Sequence, residues 1–501
     1  MPVERLEPRA TAVELMDAAV EAAGSREALV DGEVRLSFAD WDRAADGVAA
    51  LFEACGLHRG DVVCLQLPSS ADYAICYQAA MRLGAVTSGV NPRFGPRELA
   101  HVLERCRPKV TVAEDGSEPA PLAGRVLGRS AVRQAWGEGR PSRRPVPRPS
   151  DPVAIVWTSA TTGRPKGAVF DHENLVAVAA GAGDLSRPGD RRLSPLPFCH
   201  VGYMTRPVDE ISNLITTVVV PSPWRAREAL RLMVEEKVTV AQGVPTQWRM
   251  LLDLPELEGA DLSCLRVAGT GGSSVAPELV RQMRQRLGCP VVVGYTSTEA
   301  AITTRSRIGD SDEDVALTVG RASEGVEVEV VDEQGRRLGS GHLGQVRCRS
   351  GAVMRGYWKD PELTASVLDR DGWLATGDLG RLDSRGYLTL VGRQSDMYIR
   401  GGYNVYPAEV EAVLCEHPSV AEAAVVGVPD PRLGEVGAAF VVPAGPGADR
   451  GELRRWCASR VADYKAPDEV WLVESLPVTA MSKVDKAALA EQARRARRRG
   501  R

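Results

Sequence analysis

Short apolar, β-branched segments alternate with helix-length segments along most of this chain, and that alternation limits the folds open to it. DVVCLQL (61–67) and GAVTSGV (84–90) read as strands, with a helix between them running from a Ser69 or Ser70 cap through Leu83. That is a βαβ unit, the building block of a parallel sheet. VAIVW (153–157), LITTVVVP (214–221), VTVAQGVP (238–245), CLRVAG (264–269) and CPVVVGY (289–295) continue the series, with a helix around Ala226–Glu236. Apolar strands with helices between them belong in an α/β sheet covered on both faces. Residues 371–393 are turn-rich and read as antiparallel β. After a polar joint near Gly392–Asp396 the pattern resets. PAEVEAVLCEHP is a short helix with Val410, Val413 and Leu414 on one face. VAEAAVVGV, GAAFVVP and DEVWLVESLP are strands. GELRRWCASRVADY is a helix with Leu453, Trp456, Cys457, Val461 and Tyr464 on one stripe. This is a compact α+β unit of about a hundred residues.

Composition removes several function classes. Hydrophobic residues make up 44% and charged residues 26% of the 501, as in folded globular proteins. A net charge of −4 does not suit a general nucleic-acid binder. No apolar run approaches the ~20 residues of a membrane span, and MPVERLEPRA has no apolar leader core, so a cytoplasmic location is expected. The ten cysteines show no CxxC and the six histidines no HxxxH, which points to reduced thiols and away from zinc. The Arg- and Pro-rich stretch within 114–150 is expected to be a surface excursion, and RRARRRGR at the end a fraying, solvated helix end. Only 7 of the 62 basic residues are Lys, so a Lys inside a motif stands out; Lys166 and Lys483 are two such.

The sharpest segment is TSATTGRPKG, 158–167, directly after the strand VAIVW. Hydroxyls and glycines at a strand-to-loop turn supply donors to phosphate oxygens, and Lys166 adds a point charge. No GxxxxGK[ST] loop occurs anywhere. Composition alone would make 158–167 a solvated Ser/Thr loop. Five further segments follow in order: PLPFCHVGY (195–203), GTGGSSVAPEL (269–279), GYTSTEA (294–300), the run GWLATGD to YPAEVE (372–411), and LPVTAMSK (476–483).

Together these segments resemble the signatures of the adenylate-forming superfamily, and in particular its acyl-CoA synthetases; the similarity runs from about residue 60 to 490. The resemblance implies an α/β fold. A large N-terminal domain (1–392) would hold parallel α/β sheets and a small β-barrel-like part, followed by a hinge (393–396) and a small mobile α+β domain (397–501). It implies a two-step reaction, in which ATP and a carboxylic acid form an acyl-AMP and a thiol, usually that of CoA, then displaces AMP. Thr158, Ser159, Thr161, Thr162, Gly163 and Lys166 would cradle phosphates. Gly271, Gly272 and Tyr295 would border the nucleotide and acyl pocket, and Thr298 would touch the α-phosphate. Asp378 would accept both ribose hydroxyls, beside Arg393. Glu299 would hold Mg²⁺, which takes one or two protein carboxylates; it also suits a helix start. Lys483 would offset charge in the transition state, His200 would gate the acyl and thiol path, and Arg400, Gly401 and Gly402 would line the pantetheine tunnel.

The pattern departs from the family at Ala160, Thr296 and Ser482, each in place of a glycine. A Cβ where φ is positive costs roughly 1–2 kcal/mol, so adenylation is expected to be weakened, and a separate ligase could supply acyl-AMP. Ser395 replaces a charged hinge residue. The expected substrate is a hydrophobic carboxylic acid, with space left by Gly269, Gly271 and Gly272. Two other readings stay open: a free-standing adenylation enzyme loading a carrier protein, for which Asp209 could hold a substrate amine, and a non-catalytic adenylate binder. Trp157 is expected to pack under the phosphate loop.

Overall fold

The computed structural model describes residues 3–117, 122–138, 146–158, 165–273, 275–479 and 484–499. Ser159, Ala160, Thr161, Thr162 and Gly163 of the phosphate loop, and Ser482 and Lys483, lie outside the described residues.

The alternation read in the sequence folds into two large, mainly parallel sheets. One has seven strands in the order Gly356–Tyr357, Lys166–Asp171, Pro152–Thr158, Val86–Gly89, Val62–Gln66, Val110–Ala113 and Arg125–Gly128. It is parallel from Pro152–Thr158 outward to Arg125–Gly128, and the two strands on the other side are antiparallel. The other sheet has nine strands, with Val291–Tyr295, Val267–Gly271, Val240–Gly243, Arg191–Ser194, Thr216–Val219 and Glu27–Asp31 parallel at its centre. All four residues are buried in each of Val86–Gly89, Val110–Ala113 and Thr216–Val219, as covering on both faces requires.

The helix Ala71–Arg82 is buried along its whole length, which explains its lack of a polar face. Ser70, not Ser69, caps it: its Oγ accepts the Tyr73 N–H at 3.3 Å. Asp72, fully buried in its first turn, is ion-paired to Arg129 and to Arg133, the latter at 3.0 Å. This clamp accounts for a difference from the sequence expectation. Part of the 114–150 excursion is an edge strand, Arg125–Gly128, and a helix, Arg129–Glu138, held against the core by Val132 and two arginines that composition alone marks as surface. The Arg- and Pro-rich residues 139–145 lie outside the described residues.

The expected β-barrel-like part is an open four-stranded antiparallel sheet, Val326–Val331, Gly344–Ser350, Leu374–Leu382 and Leu388–Arg393. The last hundred residues form a five-stranded sheet with helices Pro407–Cys415, Arg450–Ala458 and Lys486–Arg499. The helix expected to reach Tyr464 stops at Ala458. Leu453 and Cys457 are buried, while Tyr464 sits in a separate turn, drawn over by the Lys465–Glu409 ion pair at 2.7 Å and stacked on Tyr403 at 4.5 Å. Among the described residues no helix is long and apolar enough to cross a membrane.

Candidate functional site

Asp378 and Arg393 stand directly opposite each other on the paired strands Leu374–Leu382 and Leu388–Arg393. Gly377, at φ 75°, turns the chain just before the aspartate, and the Thr376 hydroxyl fixes the turn by accepting the Asp378 N–H at 3.2 Å and donating to Val346 O at 2.8 Å. Asp378 is buried. Its Oδ2 accepts the Tyr295 hydroxyl at 2.5 Å, and its Oδ1 lies 3.2 Å from Arg393 Nε. Burial, with the adjacent carboxylate, pushes the Tyr295 phenol well up, so it stays a donor. A carboxylate offers about four lone-pair sites, the acceptor chemistry that a cis-diol calls for. A cavity of about 390 Å³ opens beside it, lined by Thr376, Gly377, Arg393, Gln394 and Ser395.

Tyr295 ends the strand Val291–Tyr295, which pairs with Val267–Gly271. Both strands deliver their carboxyl ends to the same corner, where open α/β sheets bind ligands. Gly271 is obligatory there: a Cβ on it would lie 2.2 Å from the carbonyl oxygen of Gly294, at φ 158°. Gly269 leaves no free acyl space, since its vacated volume is taken by Leu185 and Gln242 and its carbonyl is held by Trp248 Nε1 at 3.0 Å. Only Gly272 faces openly, with a Cβ position 3.8 Å from Val244.

Beyond Tyr295 the chain turns through 296–301. Thr296 does not take a positive φ, so the strain expected there is absent; its hydroxyl donates to Ala301 O at 2.7 Å, and Ala301 takes the left-handed conformation at φ 55°. Thr298 and Glu299 lie half-buried on this turn. Glu299 Oε1 accepts the Tyr357 hydroxyl at 2.8 Å, and the Tyr357 ring lies under Lys166 Nζ, 5.5 Å from its centroid. Tyr357 thus links two predicted charges. Sequence reasoning missed it, although its strand, Gly356–Tyr357, pairs with the strand that carries Lys166. Lys166 pairs in register with Thr158, so both ends of the phosphate loop are anchored in the sheet. Trp157, beneath them, donates to Ser88 Oγ at 2.9 Å. Among the described residues no group of three His, Cys, Asp or Glu could cage a metal. One carboxylate supplemented by phosphate oxygens suits Mg²⁺, and Glu299 fits that mode.

His200 precedes the short helix Val201–Met204, with its Nε2 3.5 Å from Asn91 Nδ2, in a wall where Phe198 stacks on Tyr203 at 3.5 Å. Asp209 is not available to a substrate amine: it is buried, with Arg192 Nη1 at 3.0 Å, Ser186 Oγ at 2.9 Å and Asn213 Nδ2 at 3.1 Å. In the last hundred residues, Arg400 and Tyr403 pair across a two-residue hairpin whose turn, Gly401 at φ 58° and Gly402 at φ 89°, needs positive φ twice. Arg400 is clamped by Asp468 through two bonds of 2.8 and 2.9 Å, which raise its pKa. The structure therefore brings Asp378, Arg393, Tyr295 and Gly271 to one corner, joins Lys166 to Glu299 through Tyr357, and holds Arg400, Gly401 and Gly402 on a separate sheet.

Residues 16–358 match the family described as AMP-binding enzyme, and residues 409–483 the AMP-binding enzyme C-terminal domain. A methyl-dioxo-octahydro-indenyl propanoyl:CoA ligase of Rhodococcus jostii is 35% identical over 94% of this chain and 96% of its own length. Indoleacetate–CoA ligase of Aromatoleum aromaticum is 35% identical over 90% and 92%. The crystal structure of ATP-bound MatB from Rhodopseudomonas palustris superposes with a TM-score of 0.90 at 29% identity, covering 97% of this chain and 99% of that one.

Proposed function

This chain belongs to the AMP-binding enzyme family, and from that premise we propose that it forms the CoA thioester of a hydrophobic carboxylic acid through an acyl-AMP. It is an acid–thiol ligase of the acyl-CoA synthetase kind. The observation that carries the reading is the ribose corner: a buried carboxylate, Asp378, oriented by Tyr295 and Arg393, whose neighbours Thr376, Gly377 and Arg393 line a cavity of about 390 Å³.

In this reading Asp378 holds the ribose, and Arg393 stays close enough to contact ribose or phosphate. Thr158, Lys166 and the loop between them face the phosphates, with Ser159, Thr161, Thr162 and Gly163 as donors, and Thr298 meets the α-phosphate. Glu299 would hold Mg²⁺, which supplies charge neutralisation at the phosphates; Tyr357 orients that carboxylate. Lys483 would stabilise charge at the reacting carboxyl. The thiol then attacks the acyl carbon, a C–S bond forms, the acyl C–O bond breaks with its electron pair leaving on the AMP phosphate, and the thiol proton passes to water. His200 borders the thiol path, and the hairpin of Arg400, Gly401 and Gly402 would meet pantetheine after the small domain (397–501) rotates about the hinge at 393–396.

Weakened adenylation, with acyl-AMP arriving from a separate ligase, is the finer part of the proposal. It rests on Ala160 and Ser482, because Thr296 carries no backbone strain. The test compares pyrophosphate release from ATP and acid with CoA-dependent consumption of supplied acyl-AMP. Pyrophosphate release matching thioester formation would remove the finer part and leave the ligase. Absence of thioester from either route, across a broad acid panel, would remove the ligase reading.

A further inference from the structure

Five ionisable side chains that the reaction above does not use are gathered between the helix after His200 and the end of the strand Val291–Tyr295. Arg192, Arg206 and Arg305 face Asp209 and Glu210, with the half-buried Asp184 more distant from Arg305. The carboxylates are already committed. Asp209 is saturated by Arg192, Ser186 and Asn213, and lies 3.9 Å from Arg206 Nη1, at the outer limit of an ion pair. Glu210 stands 3.6 Å from Arg192 Nη1, and burial pushes its carboxyl up to about 7. Asp184 accepts the Ile308 N–H at 2.9 Å.

Arg206 and Arg305 are therefore left short of anions. Arg206 Nη1 is buried without a hydrogen-bond partner, and Arg305 makes no ion pair among the described residues, donating only to the Ala182 carbonyl at 2.6 Å. Burial and then the like charge of Arg192 lower Arg206 to about 10, and burial and then the like charge of Arg206 lower Arg305 to about 9. Like-charged guanidiniums gathered in low dielectric are costly unless an anion joins them. Yet neither is sealed off: the Arg206 side chain keeps 16% of its surface, and Arg305 is also partly accessible. Side chains that are deep yet accessible stay within reach of a ligand. Arg305 is placed by Gly294, where a Cβ would stand 3.5 Å from Arg305 Nε; Gly294 precedes Tyr295 and is in register with Gly271. The pair thus lies between the His200 wall and the strand ends that carry the ribose corner.

We propose that Arg206 and Arg305 form a cationic floor to the acyl crevice and select acids that carry a second carboxylate remote from the reacting one. The inference rests on the acyl-CoA ligase reading and narrows its acid to the dicarboxylic class with an apolar middle. The experiment has two arms, run on the full chain and on Arg206→Met, Arg206→Lys and Arg305→Met. The first measures kcat/KM for thioester formation with straight-chain diacids from succinate to sebacate against monoacids of equal length. The second measures binding of non-hydrolysable acyl-AMP analogues of the same diacids and monoacids, which needs no turnover. The expected result is at least a tenfold diacid preference in both arms, collapsing in the Met variants and partly kept in Arg206→Lys. Diacid preference in binding with no thioester from any acid would sink the ligase reading and keep the floor. Equal handling of diacids and monoacids by the parent, or a ratio unmoved by either Met variant, would overturn the floor and leave the ligase standing.

Discussion

At the ribose corner the charged groups have close partners within the chain, whereas among the described residues Arg206 has only Asp209 at 3.9 Å and Arg305 only the Ala182 carbonyl. Asp378 is held by Tyr295 and Arg393, and Glu299 and Lys166 share Tyr357. Among the described residues Arg206 has no carboxylate closer than 3.9 Å and Arg305 makes no ion pair, while Arg206 acts on Arg305 as a like charge. The difference matches what each side receives. A nucleotide is constant, so its contacts can be preorganised and internally satisfied. The acid varies from enzyme to enzyme, and a charge left uncompensated is a way to make the pocket depend on its ligand.

The largest expected effect tests the preorganised side. Asp378→Ala removes the acceptor for two hydroxyls and strands Arg393, so kcat/KM for thioester formation should fall about a thousandfold. A parent-like rate would break the comparison at its first term. Next comes a control from outside both regions. His172 is buried and neutral, its Nδ1 accepting the Ala12 N–H at 3.2 Å, and burial lowers it to about 4. A depressed histidine contributes stability that is present above its unfolded value near 6.5 and is lost as pH falls towards 4, here about 3 kcal/mol. Glu210, raised to about 7, has the opposite sign: its contribution is present below about 4.5 and is lost as pH rises through 7. Denaturant titrations at pH 4 to 7 should therefore show an acid limb that flattens in His172→Gln. An acid limb unchanged in that variant would assign the sensitivity elsewhere.

Tyr357→Phe keeps the ring under Lys166 but deletes the donor to Glu299. A loss of about five- to tenfold in kcat/KM is expected, with a raised Mg²⁺ requirement as the signature of a misplaced carboxylate. A loss unaffected by Mg²⁺ would make Tyr357 a packing residue. The smallest effect is expected at Asp468→Asn, which loosens the partly exposed Arg400 clamp. A two- to threefold rise in the KM for CoA, with pyrophosphate release unchanged, is the expected order for such a pair. Equal changes in both half-reactions would place Arg400 outside the thiol path.

Much of the fold was legible because its signal is local. The strands at 62–66, 86–89 and 216–219 lie in short runs of apolar, β-branched and small residues and are almost wholly buried, and the glycines of the 400–403 hairpin announce a turn with positive φ. Where the reading failed, the deciding partner was remote in sequence. Composition put 114–150 on the surface, yet Arg129 and Arg133 reach back to Asp72 and fix a helix against the core. Gly269 looked like spare volume until Leu185 filled it. Thr296 looked strained because a glycine usually stands there, whereas the left-handed residue is Ala301.

By itself the sequence determined the family, the order of the motifs and the residue types that meet nucleotide and thiol, since these are written in short contiguous runs. Only the tertiary structure decided that Tyr357 joins Lys166 to Glu299, that Asp209 is spent on Arg192, and that Arg206 and Arg305 are short of carboxylates among the described residues. A motif records which groups a step of chain can offer. Whether a charge is satisfied depends on its distance to groups many residues away and on the water excluded around it, and both exist only once the chain has folded.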